Sequence, residues 1–92
     1  SPGCLEYFRA FADGRFDEGA QHWFIYPRPE VWVDSDRRAF VVGDAGADGI
    51  EFCFRKGQEG VWAYYPIGQE WMLKAASLVE LERGWQDGSI CV

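Results

Sequence analysis

The residues of this 92-residue chain that could carry covalent or acid–base chemistry are few and scattered. His22 is the only histidine, so a Cys/His pair with Cys4 or Cys53 is the one nucleophilic arrangement open to it. Beside Trp23, at the start of a strand-like run, a lone histidine reads as structural. Cys4, Cys53 and Cys91 form no C-x-x-C spacing, which signals neither a zinc knuckle nor a redox pair. Ser1, Ser35, Ser77 and Ser89 fall in termini, turns or caps, and none sits in a G-x-S-x-G elbow. Asp44-Ala45-Gly46-Ala47-Asp48-Gly49 echoes the first half of a calcium loop, but the final ligand position falls on Arg55, a cation that repels calcium. Glycines 43, 46 and 49 lack dinucleotide-loop spacing, and the neighbouring aspartates would repel phosphate. The residue set therefore predicts no catalytic centre, no metal and no cofactor.

Aromatic side chains give the stronger signal. Five Trp, four Tyr and seven Phe make 17% of the chain, more rings than a domain this small can bury fully. In a strand over 61–65, Trp62 and Tyr64 share one face while Val61, Ala63 and Tyr65 share the other. Either helices cover both faces, or one face offers aromatics to a partner. Trp32 and Trp71 belong to the same aromatic set. The predicted partner-binding residues are Trp32, Trp62 and Tyr64 as anchors, rimmed by Asp34, Asp36, Asp44 and Asp48.

The elements that must hold these residues follow from periodicity. Leu5, Phe8, Phe11 and Ala12 recur at helical spacing ahead of Gly14, which predicts a helix over about 4–13. Gln21–Tyr26 reads as a strand stopped by Pro27-Arg28-Pro29. Val31–Val33 and Ala39–Val42, bridged by Asp34-Ser35-Asp36-Arg37, read as a hairpin. After a loop over 43–49, Ile50, Phe52 and Phe54 alternate with Glu51, Cys53 and Arg55 in a half-buried strand, and Cys53 reads as a small core residue. Val61–Tyr65 returns across a second hairpin, and Gln69–Leu73 adds a short strand. Ser77 and Glu80 have capping-box spacing for a helix over about 77–86, with Leu78, Leu81 and Trp85 on one face and Gly88 near its end. The predicted fold is α+β. One twisted, mainly antiparallel sheet of four to six strands forms a single domain over 1–92, with an N-terminal and a C-terminal helix packed against it.

Composition bounds the function classes. An apolar fraction of 48% and a charged fraction of 26% are those of a globular domain, not a disordered chain, a collagen or a coiled coil. A net charge of −6 argues against a nucleic-acid backbone or an anionic membrane as partner. No apolar run is long enough for a transmembrane helix. Ser1-Pro2-Gly3 does not read as a secretory leader, and unpaired cysteines suit a reducing compartment, so a cytoplasmic protein is expected. Met72 is the only methionine, which leads to the expectation that Ser1 is not the native start.

Three segments carry a family resemblance: Asp48–Gly57, then Gly60–Ile67, then Ala76–Leu81 with Gly84-Trp85 and Gly88-Ser89-Ile90. Together they resemble the second half of a SUKH-superfamily domain, the group of bacterial toxin-immunity proteins that also includes fungal cell-wall-assembly regulators. The likeness spans residues 21–92. Leu5–Phe11 with Asp13-Gly14 stands only as a shortened version of the family's opening helical segment and its Asn-Gly pair. The resemblance implies an α+β fold and tight, non-catalytic binding of a partner protein, often a toxin nuclease. The expected function is thus an acidic protein-binding module facing a basic toxin. Two alternatives remain open from the residues. One is a small-molecule-binding domain or small enzyme with an aromatic-lined pocket, into which His22, Glu51 or Glu70 would point. The other is a homodimer through the aromatic face.

Overall fold

The structure is a computed structural model that describes residues 2–92. Helix α1 spans Pro2–Glu6 and runs into one wider π-helical segment, Tyr7–Phe11, before Gly14 reverses the chain at φ +77°. Strands β1 (Arg15–Asp17) and β2 (His22–Ile25) form a separate antiparallel pair. A 3-10 turn over Arg28–Glu30 leads into β3 (Trp32–Asp34), β4 (Ala39–Asp44), β5 (Glu51–Arg55), β6 (Val61–Tyr65) and β7 (Glu70–Ala75). These five strands form an antiparallel meander, each paired with its sequence neighbour. Helix α2 (Leu78–Asp87) closes the chain. The predicted α+β architecture, a twisted antiparallel sheet with helices against it, is the one observed.

The main core lies between the sheet and the two helical segments. Phe52, Phe54, Val61, Ala63 and Ala75 face Tyr7, Phe11, Leu78 and Leu81, with Phe24 and Ile25 of β2 closing one side. Burying a side chain of this size contributes about 1.5–3 kcal/mol. Helical spacing places Leu5 and Phe8 inward, yet both are exposed, and Tyr7 and Phe11 are the buried pair. The π-helical segment widens the turn and rotates the inward face. Tyr7 is fixed there by its hydroxyl, which donates to the Tyr26 carbonyl at 2.7 Å.

Strand β1 is absent from the sequence reading, because Arg15-Phe16-Asp17 is too short and too polar to show alternation. It is held by side chains rather than by pattern. Trp85 Nε1 donates to Asp17 at 2.9 Å, and Arg15 pairs with Glu82, so α2 clamps the small sheet from outside. The loop over 43–49 is shorter than expected, since β4 continues to Asp44. The chain then turns at Asp48 and Gly49, both at positive φ (57° and 69°), with Ile50 N donating to the Ala47 carbonyl. That is a β-turn of the mirror-image type, which favours Asp-Gly, at the tip of the connection between Asp44 and Glu51.

Candidate functional site

All helical packing lies on one side of the five-stranded sheet, which leaves the other side as an open face. In-register pairs Trp32–Val41, Cys53–Trp62, Glu51–Tyr64 and Tyr64–Trp71 put one continuous set of side chains there. The floor is made of small residues, Ala39, Val41 and Cys53, all buried, with Tyr26 and Trp71 packed against them. Burial pushes the Cys53 thiol up to about 12, so at neutral pH it is an inert, protonated filler.

Small floor residues leave room for two arginines. Arg37, from the β3–β4 turn, extends over β4 and pairs with Asp34 on one flank and with Glu51 at 2.8 Å on the other. Its guanidinium stands 4.2 Å from the Tyr64 ring centroid and 6.0 Å from that of Trp32. Tyr64 in turn meets Trp71, centroids 4.8 Å apart. Arg55 sits between Trp71 at 4.4 Å and Trp62 at 4.7 Å. The result is a ladder across the sheet, Trp32, Arg37, Tyr64, Trp71, Arg55, Trp62, in which each arginine lies between two rings and Tyr64 meets Trp71 directly. Each cation–ring contact contributes about 0.5–1 kcal/mol when exposed and more when desolvated. The larger effect is rigidity, because every ring is held from at least one side.

Two β-bulges set which residues join this face. Between Val41 and Gly43 the β4–β5 register shifts by one, so Gly43 pairs with Phe52 on the inner face and Asp44 with Glu51 on the open one. Strict alternation would have turned Asp44 inward. Gly43 is required at that spot for a second reason: a Cβ there would stand 2.0 Å from the Phe24 carbonyl oxygen. A second shift between Val61 and Trp62 keeps Trp71 and Leu73 outward while Ala75 turns in.

The seven sequence-predicted site residues divide accordingly. Trp32, Asp34, Asp44, Trp62 and Tyr64 share the open face, and Trp32 is 44% exposed. Asp36 sits exposed in the β3–β4 turn, and Asp48 at the exposed tip of the β4–β5 hairpin. Asp34 has a structural task as well: its carboxylate takes the Arg37 side chain and the Arg37 backbone N–H, which holds its pKa below the usual carboxylate range. Asp44 accepts from the Gly46 amide and, at 3.4 Å, from the Tyr26 hydroxyl. Burial and the nearby carboxylates of Asp44 and Glu51 push Tyr26 up to about 12. Arg37 and Arg55 escaped the sequence reading. Parity with Glu51 and Cys53 could have placed Arg55 on the face, whereas nothing local signals that a turn arginine reaches across β4.

Residues considered for chemistry are dispersed. His22 lies in the small sheet with Nε2 2.9 Å from the Asp44 carbonyl, an edge contact to Trp85, and Gly46 against its ring. Glu51 is paired with Arg37, and Glu70 is exposed at the start of β7, opposite Tyr65. Among the described residues no group of three or more His, Cys, Asp or Glu side chains gathers as a metal site, and no helix is long and apolar enough to cross a membrane. The three cysteines are free thiols.

Comparison with protein-family models, with curated proteins and with solved structures finds no match.

Proposed function

We propose that this chain is a non-enzymatic protein-binding module that docks a basic partner protein on the open sheet face, in the manner of the immunity proteins its later segments resemble. The observation that carries this reading is the cation–ring ladder. Tryptophan, tyrosine and arginine are the residue types in which interface energy concentrates, and here they are fixed in place before any partner arrives. Ion pairing of Arg37 with Asp34 and Glu51 leaves the centre of the face nearly neutral. Net charge −6 and the exposed Asp36 and Asp48 surround that centre with negative potential, which suits a partner with a basic rim and a flat apolar middle.

The test is titration calorimetry against a basic nuclease toxin, with the chain and its Trp32→Ala variant, at low and high salt. Trp32 stands at one end of the ladder and is largely outside the core, so its truncation leaves the fold intact. Expected are a loss of affinity of about 30-fold in the variant, the size of a hot-spot truncation, and marked weakening by salt. Salt-insensitive binding, or an unchanged Trp32→Ala affinity, counts against the reading. Light scattering that shows a stable dimer would assign the same face to self-association instead.

A further inference from the structure

At the end of the sheet formed by the β3–β4 and β5–β6 turns, beside α1, lies a surface of different chemistry. A groove of about 430 Å³ is floored there by Cys4, Phe40, Phe54 and Val33. Its apolar floor continues onto exposed Phe8, whose ring lies 6.3 Å from that of Phe40, as does the ring of Phe54. Val33 is 71% exposed and Phe8 49%, so water now covers apolar area that would gain from burial. Arg38 and Lys56 form the lip. A backbone bond from Lys56 N to the Arg38 carbonyl, 2.9 Å, ties the two turns together and holds both cations on the same edge. Neither cation is part of an ion pair among the described residues. The other charges along this groove are occupied: Asp34 by Arg37, and Arg55 by Trp62 and Trp71.

We propose that this groove binds an amphipathic carboxylate, a medium-length aliphatic chain lying on Phe40 and Phe54 with its headgroup held by Arg38 and Lys56. The volume falls within the range of about 300–1,000 Å³ usual for small-ligand sites, and the lining, apolar with a few polar groups at one end, is of the usual kind. The charge argument is local and runs against the molecule as a whole. In a chain of net charge −6, two unpaired cations at the lip of an apolar trough select an anion. On the other side of α1 a groove of about 390 Å³ shares the Phe54 wall but is bordered by Glu6 and Glu59, so the same tail with an anionic head is rejected there. Cys4 lines this groove and takes no part in the cation–ring ladder.

Cys4 provides the readout, since it lines the groove, while Cys53 is fully buried and Cys91 is removable at the surface. In a Cys91→Ser chain, alkylation of Cys4 by neutral iodoacetamide is followed against decanoate, decyltrimethylammonium and acetate, all below micelle formation. Decanoate is expected to protect Cys4 saturably. Acetate and decyltrimethylammonium should need at least about tenfold higher concentration, reflecting the lost tail and the inverted charge. Arg38→Glu with Lys56→Glu should raise the decanoate requirement by about tenfold or more, and Val33→Asp should weaken it from the tail side. All three positions are exposed, so these variants keep the fold. Equal protection by decyltrimethylammonium, insensitivity to the charge reversals, or absence of saturable protection overturns the proposal.

Discussion

Arg37 organises the open face through one side chain. It bridges two strands by pairing with Asp34 and Glu51, and it supplies the cation between Trp32 and Tyr64. Its side chain is 20% exposed, as is that of Glu51. Arg37→Ala strands both carboxylates on a half-buried surface and should cost about 2–3 kcal/mol in urea unfolding, the range for hydrogen bonds to charged groups. Arg37→Lys restores the charge without the planar fork, so most of that loss should persist. A variant as stable as the parent would show that the bridge is ornamental. Cys53 makes a second prediction at the same scale. With its thiol buried and pushed up to about 12, only Cys4 and Cys91 should react with a thiol reagent in the folded protein, and Cys53 should follow on unfolding.

At the scale of elements, α2 is anchored from two directions. Ser77 caps it locally, its side chain accepting from the Glu80 amide at 3.2 Å as the capping-box spacing predicts. The first two amides of the helix are taken from a distance by Glu6 of α1, whose carboxylate accepts from Leu78 at 2.7 Å and Val79 at 3.2 Å. A carboxylate at a helix N-terminus also meets the favourable end of the helix dipole. Ser77→Ala and Glu6→Ala should each lower stability by about 1 kcal/mol. Loss of Glu6 should in addition loosen α1, which amide hydrogen exchange over Tyr7–Phe11 would register. The bulge in β4 is the other sensitive element. Gly43→Ala drives a methyl into the Phe24 carbonyl and should destabilise by about 3 kcal/mol or more, at the upper end for overpacking. A near-neutral Gly43→Ala would mean that β2 and β4 can separate freely.

For the whole molecule, pH sets the limits of stability. Asp34 is held below the usual carboxylate range by the Arg37 side chain, Asp13 by Arg15, Asp17 by the Ala20 amide and Trp85, and Asp87 by Ser89. A depressed folded value favours the ionised form in the fold, so this contribution is complete above the unfolded value of about 3.9 and disappears as pH falls through the folded values. Tyr26 and Cys53 act in the opposite direction, both raised to about 12. The unfolded chain releases those protons first, from about pH 8.5 for the thiol, so stability declines as pH rises past that point. Thermal unfolding should therefore show a plateau between about pH 4 and 8.5 with a fall on each side. Asp34→Asn should flatten the acid limb, and stability that kept rising to pH 10 would contradict the alkaline one.

The strands of the meander, their hairpin turns and the Ser77 cap were legible in the residues alone, because alternation, turn chemistry and capping are written within a few positions of one another. The same parity put Trp62 and Tyr64 on one face and Val61 and Ala63 on the other, as they stand. Which of those faces the helices cover is a contact between segments far apart in the chain, and only the folded molecule decides it. So is the capping of Leu78 by Glu6, and so is the reach of Arg37 from a turn to Glu51 across β4. The bulge that sends Asp44 outward lies in the pairing of two strands, where no single strand records it. The aromatic excess was therefore visible from the outset, while its arrangement as a ladder locked by arginines belongs to the tertiary structure. Long side chains cross strands at distances that sequence spacing does not encode.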